Sequence, residues 1–173
     1  MDDIILIDHD DCETGTADKL SVHYKGILHR AVSVYIFNNN GDLLLQQRAL
    51  EKYHSGGLWS NTCCTHPFPG ESNLSAANRR LMEEMGIKCS LSKLLKIYYN
   101  VSVGGKLKEH EISHVFYGIS DAKPVLNNTE VMNYKYSSLQ SLTSDIKLNN
   151  HCYSSWFNYC FPYVQNSIIS QCK

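Results

Sequence analysis

Glu109 and Glu111, two residues apart, are the chain's first candidates for chemistry. In a strand, residues i and i+2 share a face, so Glu109, Glu111 and Ser113 stand together while His110, Ile112 and His114 face the other way. Such paired carboxylates serve either as a solvated outer face, the common case in sheets, or as a metal-binding and acid-base pair. The same parity around the vicinal Cys63-Cys64 pair turns Cys64 and His66 to one side and Cys63 to the other. Cys64 is then either a buried inert thiol or a reactive one. His23 and His29 fall in a segment read as too polar and turn-rich for core. Imidazole is the commonest metal ligand, but two in a loop matter only if others converge on them. Arg80 and Glu84 lie one helical turn apart, which fits a surface ion pair or a clamp for an anion.

These groups need elements to hold them. Met1 to Asp8 reads as a short strand and Asp8 to Lys19 as a polar loop. Ala31 to Phe37 and Leu43 to Arg48 form a hairpin about a turn at Asn38 to Asp42. Trp59 to Cys64 is expected as a short strand, while the prolines and glycine of His66 to Glu71 forbid regular structure. Leu74, Ala77, Leu81 and Met85 recur with helical spacing between an N-cap at Ser72 or Asn73 and a stop at Gly86. Leu94 to Val103 and Glu109 to Gly118 read as strands about a Gly104-Gly105 turn, and Ser155 to Ile169 as a closing helix. With no repeat and no linker, the expectation is a single mixed α/β domain over residues 1–173.

Composition narrows the function. A chain of 173 residues with 43% hydrophobic and 19% charged residues is an ordinary globular domain, which excludes disordered and low-complexity classes. The formal net charge of −1 argues against bulk attraction to nucleic acid or anionic membrane. The acidic start, MDDIILIDHDDCE, is unlike a signal peptide, so a cytoplasmic location is expected. Seven cysteines without any C-x-x-C spacing fit neither a disulfide framework nor a zinc ribbon, and Cys172 does not form a prenylation box.

The stretch from Thr65 to Ile87 resembles the Nudix box, G-x5-E-x7-R-E-U-x-E-E-x-G-U with U aliphatic. Glu71, Arg79, Leu81, Glu83, Glu84, Gly86 and Ile87 match it. Thr65 replaces the first glycine and Arg80 the glutamate after the arginine. Exchanging that carboxylate for a cation suits holding a diphosphate without cutting it. Around the altered box run LHRAV from Leu28, LLLQQRA from Leu43, SNTCCTHP from Ser60, EHEI from Glu109 and Ser155-Trp156. This ordered set, spanning Thr14 to Trp156, closely resembles the type I isopentenyl diphosphate isomerases, which interconvert isopentenyl and dimethylallyl diphosphate.

The resemblance implies an α/β (α+β) fold of Nudix type, a mixed β-sheet sandwich with flanking helices. It implies that His23, His29, His66, Glu109 and Glu111 ligate one divalent metal, manganese, magnesium or zinc, and that a magnesium ion arriving with the substrate diphosphate touches Glu84. Cys64 and Glu111 would be acid and base on opposite sides of the substrate, with Tyr99 hydrogen-bonding nearby. Trp156, otherwise a core residue opening the last helix, would form an aromatic wall worth about 2 kcal/mol or more to a desolvated cation. Lys19, Arg48, Lys52 and Arg80 would meet the diphosphate. The implied partner is a small prenyl diphosphate, with no nucleic acid or membrane, and the monomer is favoured. A Nudix hydrolase of nucleoside diphosphate derivatives and a non-catalytic diphosphate-binding module are the alternatives. Neither needs a thiol opposite a carboxylate.

Overall fold

A computed structural model describes residues 3–171, so Met1 and Cys172, named above, lie outside the described residues. The organising strand is β3 (His29–Phe37), whose nine residues are almost wholly buried. Along one edge it runs parallel to β8 (Leu107–Ile119), from His29 opposite Glu111 to Phe37 opposite Ile119. Its other edge is shared. β1 (Asp3–Ile7) meets it at Leu6 and His29, β6 (Cys63–Thr65) pairs across Val32 to Val34, and β4 (Leu43–Arg48) meets it at Phe37 and Leu43. β7 (Ser92–Gly104) extends the sheet antiparallel to β8. β5 (Trp59–Ser60) and β9 (Val131–Ser137) flank β4, and β2 (Glu13–Asp18) flanks β1.

Strand parity sends β3's side chains into two cores. Val32, Val34 and Ile36 pack with Cys63 against Ala76, Ala77, Leu81 and Met85 of α2 (Asn73–Met85). Tyr35 and Phe37 face Leu142 of α3 (Leu139–Asn149) and Trp156, Phe157, Phe161 and Val164 of α4 (Ser155–Gln171). The sheet therefore sits between α2 and the α3–α4 pair, with α1 (Lys19–Lys25) beside β8, which is the expected mixed sheet with flanking helices. No helix among the described residues is long and apolar enough to cross a membrane.

Local chemistry explains the element boundaries. Ser72 caps α2 by accepting from Ser75 N–H at 3.1 Å, and Gly86 ends it at φ 64°, a left-handed conformation that favours glycine. Asp18 caps α1 through Ser21 N–H at 2.9 Å. The hairpin turn is built on Asn38, whose Oδ1 accepts from the Asn40 and Asp42 amides.

Several expectations need correction. Trp59 to Cys64 is two strands, because Thr62 breaks the ladder: its Oγ1 accepts from Ile36 N–H at 2.9 Å and donates to Leu44 C=O at 2.7 Å. The Asp8 to Lys19 loop contains β2, an exposed edge strand with no apolar face to betray it. The hairpin strands pair at Phe37 and Leu43 and then take different partners. Leu74, placed on the buried face of the helix, is 44% exposed, and Ala76 fills the contact instead.

Candidate active site

Three adjacent strands bring Tyr99, Glu111 and His29 to one level, since Glu111 on β8 faces Tyr99 on β7 and His29 on β3. His23 comes from the last turn of α1, His66 follows β6, and Glu109 lies one pleat from Glu111. One ligand atom from each of His23, His29, His66, Glu109 and Glu111 lies within 4.8 Å of the others. His23 and His29 are fully buried, contrary to the segment's polar reading, because α1 packs against β8 and His29 opens the central strand β3. Glu109 and Glu111 are 6% and 5% exposed, which rules out the solvated-face reading.

The donor set is arranged for a cation. His23 Nδ1–H donates to Lys19 C=O at 2.7 Å and His29 Nδ1–H to Ile27 C=O at 2.8 Å. Carbonyls only accept, so Nδ1 carries the proton in each ring and a neutral ring presents its Nε2 lone pair to the cluster; when protonated, His29 Nε2 instead donates to Glu111 Oε1 at 3.2 Å. His23 Nε2 and Glu109 Oε2 lie 3.0 Å apart, and both are buried without a hydrogen bond. Burial holds the His66 imidazole well below its ordinary pKa, keeping it neutral as a ligand must be. Burial works to raise the Glu111 carboxyl, but His29 and Tyr99, both bonded to it, help hold it at about 2. Three imidazoles and two carboxylates converging in this way could hold a divalent metal, whereas no single proton reaches all five atoms.

Above the cluster opens a cavity of about 750 Å³. Cys64, Tyr99, Glu111 and Trp156 line it together with Lys19, Arg48, Lys52, Arg80 and Glu84. The Tyr99 hydroxyl donates to Glu111 Oε2. Cys64 Sγ sits 3.1 Å from Asn61 Nδ2 and 3.5 Å from Ser33 Oγ. Burial pushes its thiol up to about 12 against the pull of those hydrogen bonds, so it rests protonated. Cys63, on the opposite face, is fully buried in the α2 core and its thiol is also raised. Trp156 is both core and wall: it is 4% exposed, yet the Arg48 guanidinium sits 5.1 Å from its ring centre.

The cationic part is held by carboxylates. Arg80 does pair with Glu84 one turn on, at 2.5 Å, but Glu84 is buried at the cavity and also accepts from Gln46 Nε2 at 2.6 Å. Burial raises the Glu84 carboxyl's pKa. Arg79 and Glu71, by contrast, satisfy each other through two 2.8 Å hydrogen bonds. Lys19 lies over the Tyr53 ring, and Arg48 donates to His54 C=O at 3.1 Å.

Sequence reasoning missed His54, whose Nε2 is 3.1 Å from Glu109 Oε1, and Asn61, which orients Cys64. It also missed Glu130, which pairs with both Lys52 and Arg80. His54 and Asn61 lie inside the motif region, where proximity to Lys52 and Cys64 was a usable signal. Glu130 had none, being far in sequence from every cation it holds.

Comparison with known proteins agrees with this geometry. The NUDIX domain family model matches residues 27–157. A protein of Pectobacterium atrosepticum named isopentenyl-diphosphate Delta-isomerase is 47% identical over 164 residues, covering 95% of this chain and 92% of that protein. The isopentenyl-diphosphate Delta-isomerase 2 of Aromatoleum aromaticum is 47% identical over 163 residues, 94% of this chain and 86% of its own. Among solved structures, a Deinococcus radiodurans protein superposes with a TM-score of 0.79 over 94% of this chain and 98% of its own at 15% identity, a likeness of fold alone. The MutT protein of Methanosarcina mazei does so at 0.65 and 22% identity, over 80% of this chain and 94% of its own. An altered Nudix box, a thiol and a carboxylate sharing one cavity, and this identity along nearly the whole length place the chain in the type I isopentenyl-diphosphate Delta-isomerase family of the Nudix superfamily.

Proposed function

We propose that the chain interconverts isopentenyl and dimethylallyl diphosphate by proton addition at one carbon and proton removal two carbons away. The observation that carries this reading is that a protonated thiol, Cys64, and an ionised carboxylate, Glu111, open on one cavity. Groups whose surroundings drive their pKa values apart are suited to opposite halves of a proton exchange. One gives a proton to the terminal carbon and the other accepts one; the return reaction exchanges their parts. Tyr99 orients Glu111 by donating a hydrogen bond to its Oε2. The electron-rich face of Trp156 supports the cationic carbon, from which the bound substrate must keep water that would capture it.

A divalent ion, manganese, magnesium or zinc, held by His23, His29, His66, Glu109 and Glu111 would fix Glu111 in place, and magnesium entering with the substrate against Glu84 would neutralise phosphate oxygens. Lys19, Arg48, Lys52 and Arg80 bind the diphosphate by charge-assisted hydrogen bonds. We further propose that the chain acts as a monomer in the cytoplasm on a small prenyl diphosphate. Proton NMR of isopentenyl diphosphate with protein and magnesium tests the reading. Vinylidene signals should disappear as two allylic methyl signals grow; intact substrate, or released phosphate, would overturn it.

A further inference from the structure

One oxygen of Glu130 holds two of the cations assigned to the diphosphate. Glu130 Oε2 lies 2.5 Å from Lys52 Nζ and 2.5 Å from Arg80 Nη2. The two nitrogens are therefore at most about 5 Å apart, a separation at which unshielded charges repel. The same Arg80 nitrogen also meets Glu84. Glu130 is rigidly mounted. Its N–H donates to Asn127 C=O and its C=O accepts from Ala49 N–H, both at 2.9 Å. Asn127 N–H in turn donates to Glu84 C=O at 3.0 Å, and Val131, the next residue, is fully buried. A strap from Asn127 to Val131 thus ties the end of α2, the residue after Arg48 and the start of β9 to one carboxylate.

We infer that Glu130 is a positioning residue that presets Lys52 and Arg80 at a spacing suited to the oxygens of a diphosphate; the inference rests on the isomerase reading for those two cations. Two physical effects of its carboxylate oppose one another. As a negative charge it repels an anion, whereas as an anchor it spares two long side chains the entropy of ordering when the ligand arrives. The second effect wins here. Magnesium cancels two of the diphosphate's negative charges, so one more unit nearby opposes binding less than it would for the bare anion, while Lys and Arg are the side chains with most rotamer freedom to lose.

Magnesium pyrophosphate, titrated calorimetrically into the full chain, tests this without catalysis. Glu130→Gln should weaken its binding about 10- to 100-fold. The KM for isopentenyl diphosphate should rise in step, with kcat within about threefold. Glu130→Asp, which keeps the charge but shortens the reach, should fall between, and it serves if the glutamine variant does not fold. Combined with Lys52→Met, Glu130→Gln should cost less than the two single losses added. Unchanged or tighter pyrophosphate binding in both Glu130 variants would overturn the inference, as would a fall in kcat alone. A wild-type chain that bound pyrophosphate but left isopentenyl diphosphate unchanged would sink the isomerase reading, and the titrations would still judge Glu130.

Discussion

The two ends of the cavity solve opposite electrostatic problems with opposite materials. At the metal end, three imidazoles and two carboxylates gather lone pairs in a dry place, and backbone carbonyls turn the rings of His23 and His29 inward. At the end where we place the diphosphate, guanidinium and ammonium groups line a more open surface and are held in place by Glu84 and Glu130. At the first end strand register aligns His29 and Glu111; the second is set by side-chain ion pairs that can be exchanged for a ligand's oxygens. A resident ion suits the first, and a substrate that must come and go suits the second. Cys64 and Glu111 sit where the two meet.

Removing a group from the meeting place should have the largest effect. Cys64→Ala is expected to lower kcat by at least about 10² to 10⁴, whereas Cys63→Ala, which alters only the α2 core, keeps most activity. Equal losses in two folded variants would mean that strand parity picked the wrong thiol.

A break at the metal end should cost the ion as well as the rate. His66→Ala opens the five-ligand cage and frees Glu111, so metal retained through purification should fall about 10- to 100-fold together with activity. Full metal occupancy in the purified variant would remove His66 from the ligand set.

At the diphosphate end the loss should fall on binding. Arg80→Glu restores the carboxylate usual in a Nudix box, yet it should raise the KM for isopentenyl diphosphate about 10-fold or more and yield no efficient hydrolase, because the phosphate charge changes little during isomerisation. Unchanged KM would leave Arg80 as a surface ion pair.

The smallest effect belongs to Arg79 and Glu71, a pair from the same box that satisfies itself. The hydrogen bonds from Arg79 hold the Glu71 carboxyl below its ordinary 4.5. A depressed carboxylate stabilises the fold fully above its unfolded pKa and loses that contribution as pH falls through its folded value. The melting-temperature gap between wild type and Glu71→Gln should therefore narrow as pH drops from about 5 to about 3. A gap that held constant would deny the pair its ionic character.

Much of this contrast was readable beforehand, and the gaps have a common cause. Parity paired Glu109 with Glu111 and Cys64 with His66, and the family resemblance implied the roles of His23, His29, Tyr99, Trp156, Lys19, Arg48, Lys52 and Arg80; all of these residues lie in the His/Glu cluster or line the cavity. The polar segment holding His23 and His29 misled, since burial there depends on α1 packing beside β8, which no local pattern announces. β9 and α3 left no strong periodicity: β9 is mostly half-exposed and α3 buries Leu142 alone. Glu130 sits at the head of β9 and was lost with it. The break at Thr62 was hidden because a threonine hydroxyl replaced ladder bonds within a run that otherwise reads as strand.

The parallel pairing of β3 with β8 also governs when the metal site can exist. His29 and Glu111 are 82 residues apart in the chain, and nothing local brings them together. Loop-closure entropy makes such contacts among the slowest to form. A nascent chain thus has no complete cage to offer a passing ion until the centre of the sheet has zipped, and premature capture by a partly folded chain is disfavoured. Once formed, the cage belongs to the native state alone, so a bound ion shifts the folding equilibrium by about 2.7 kcal/mol at a hundredfold excess over its Kd. An ion held by the five donors would therefore also lock one of the long-range seams of the fold.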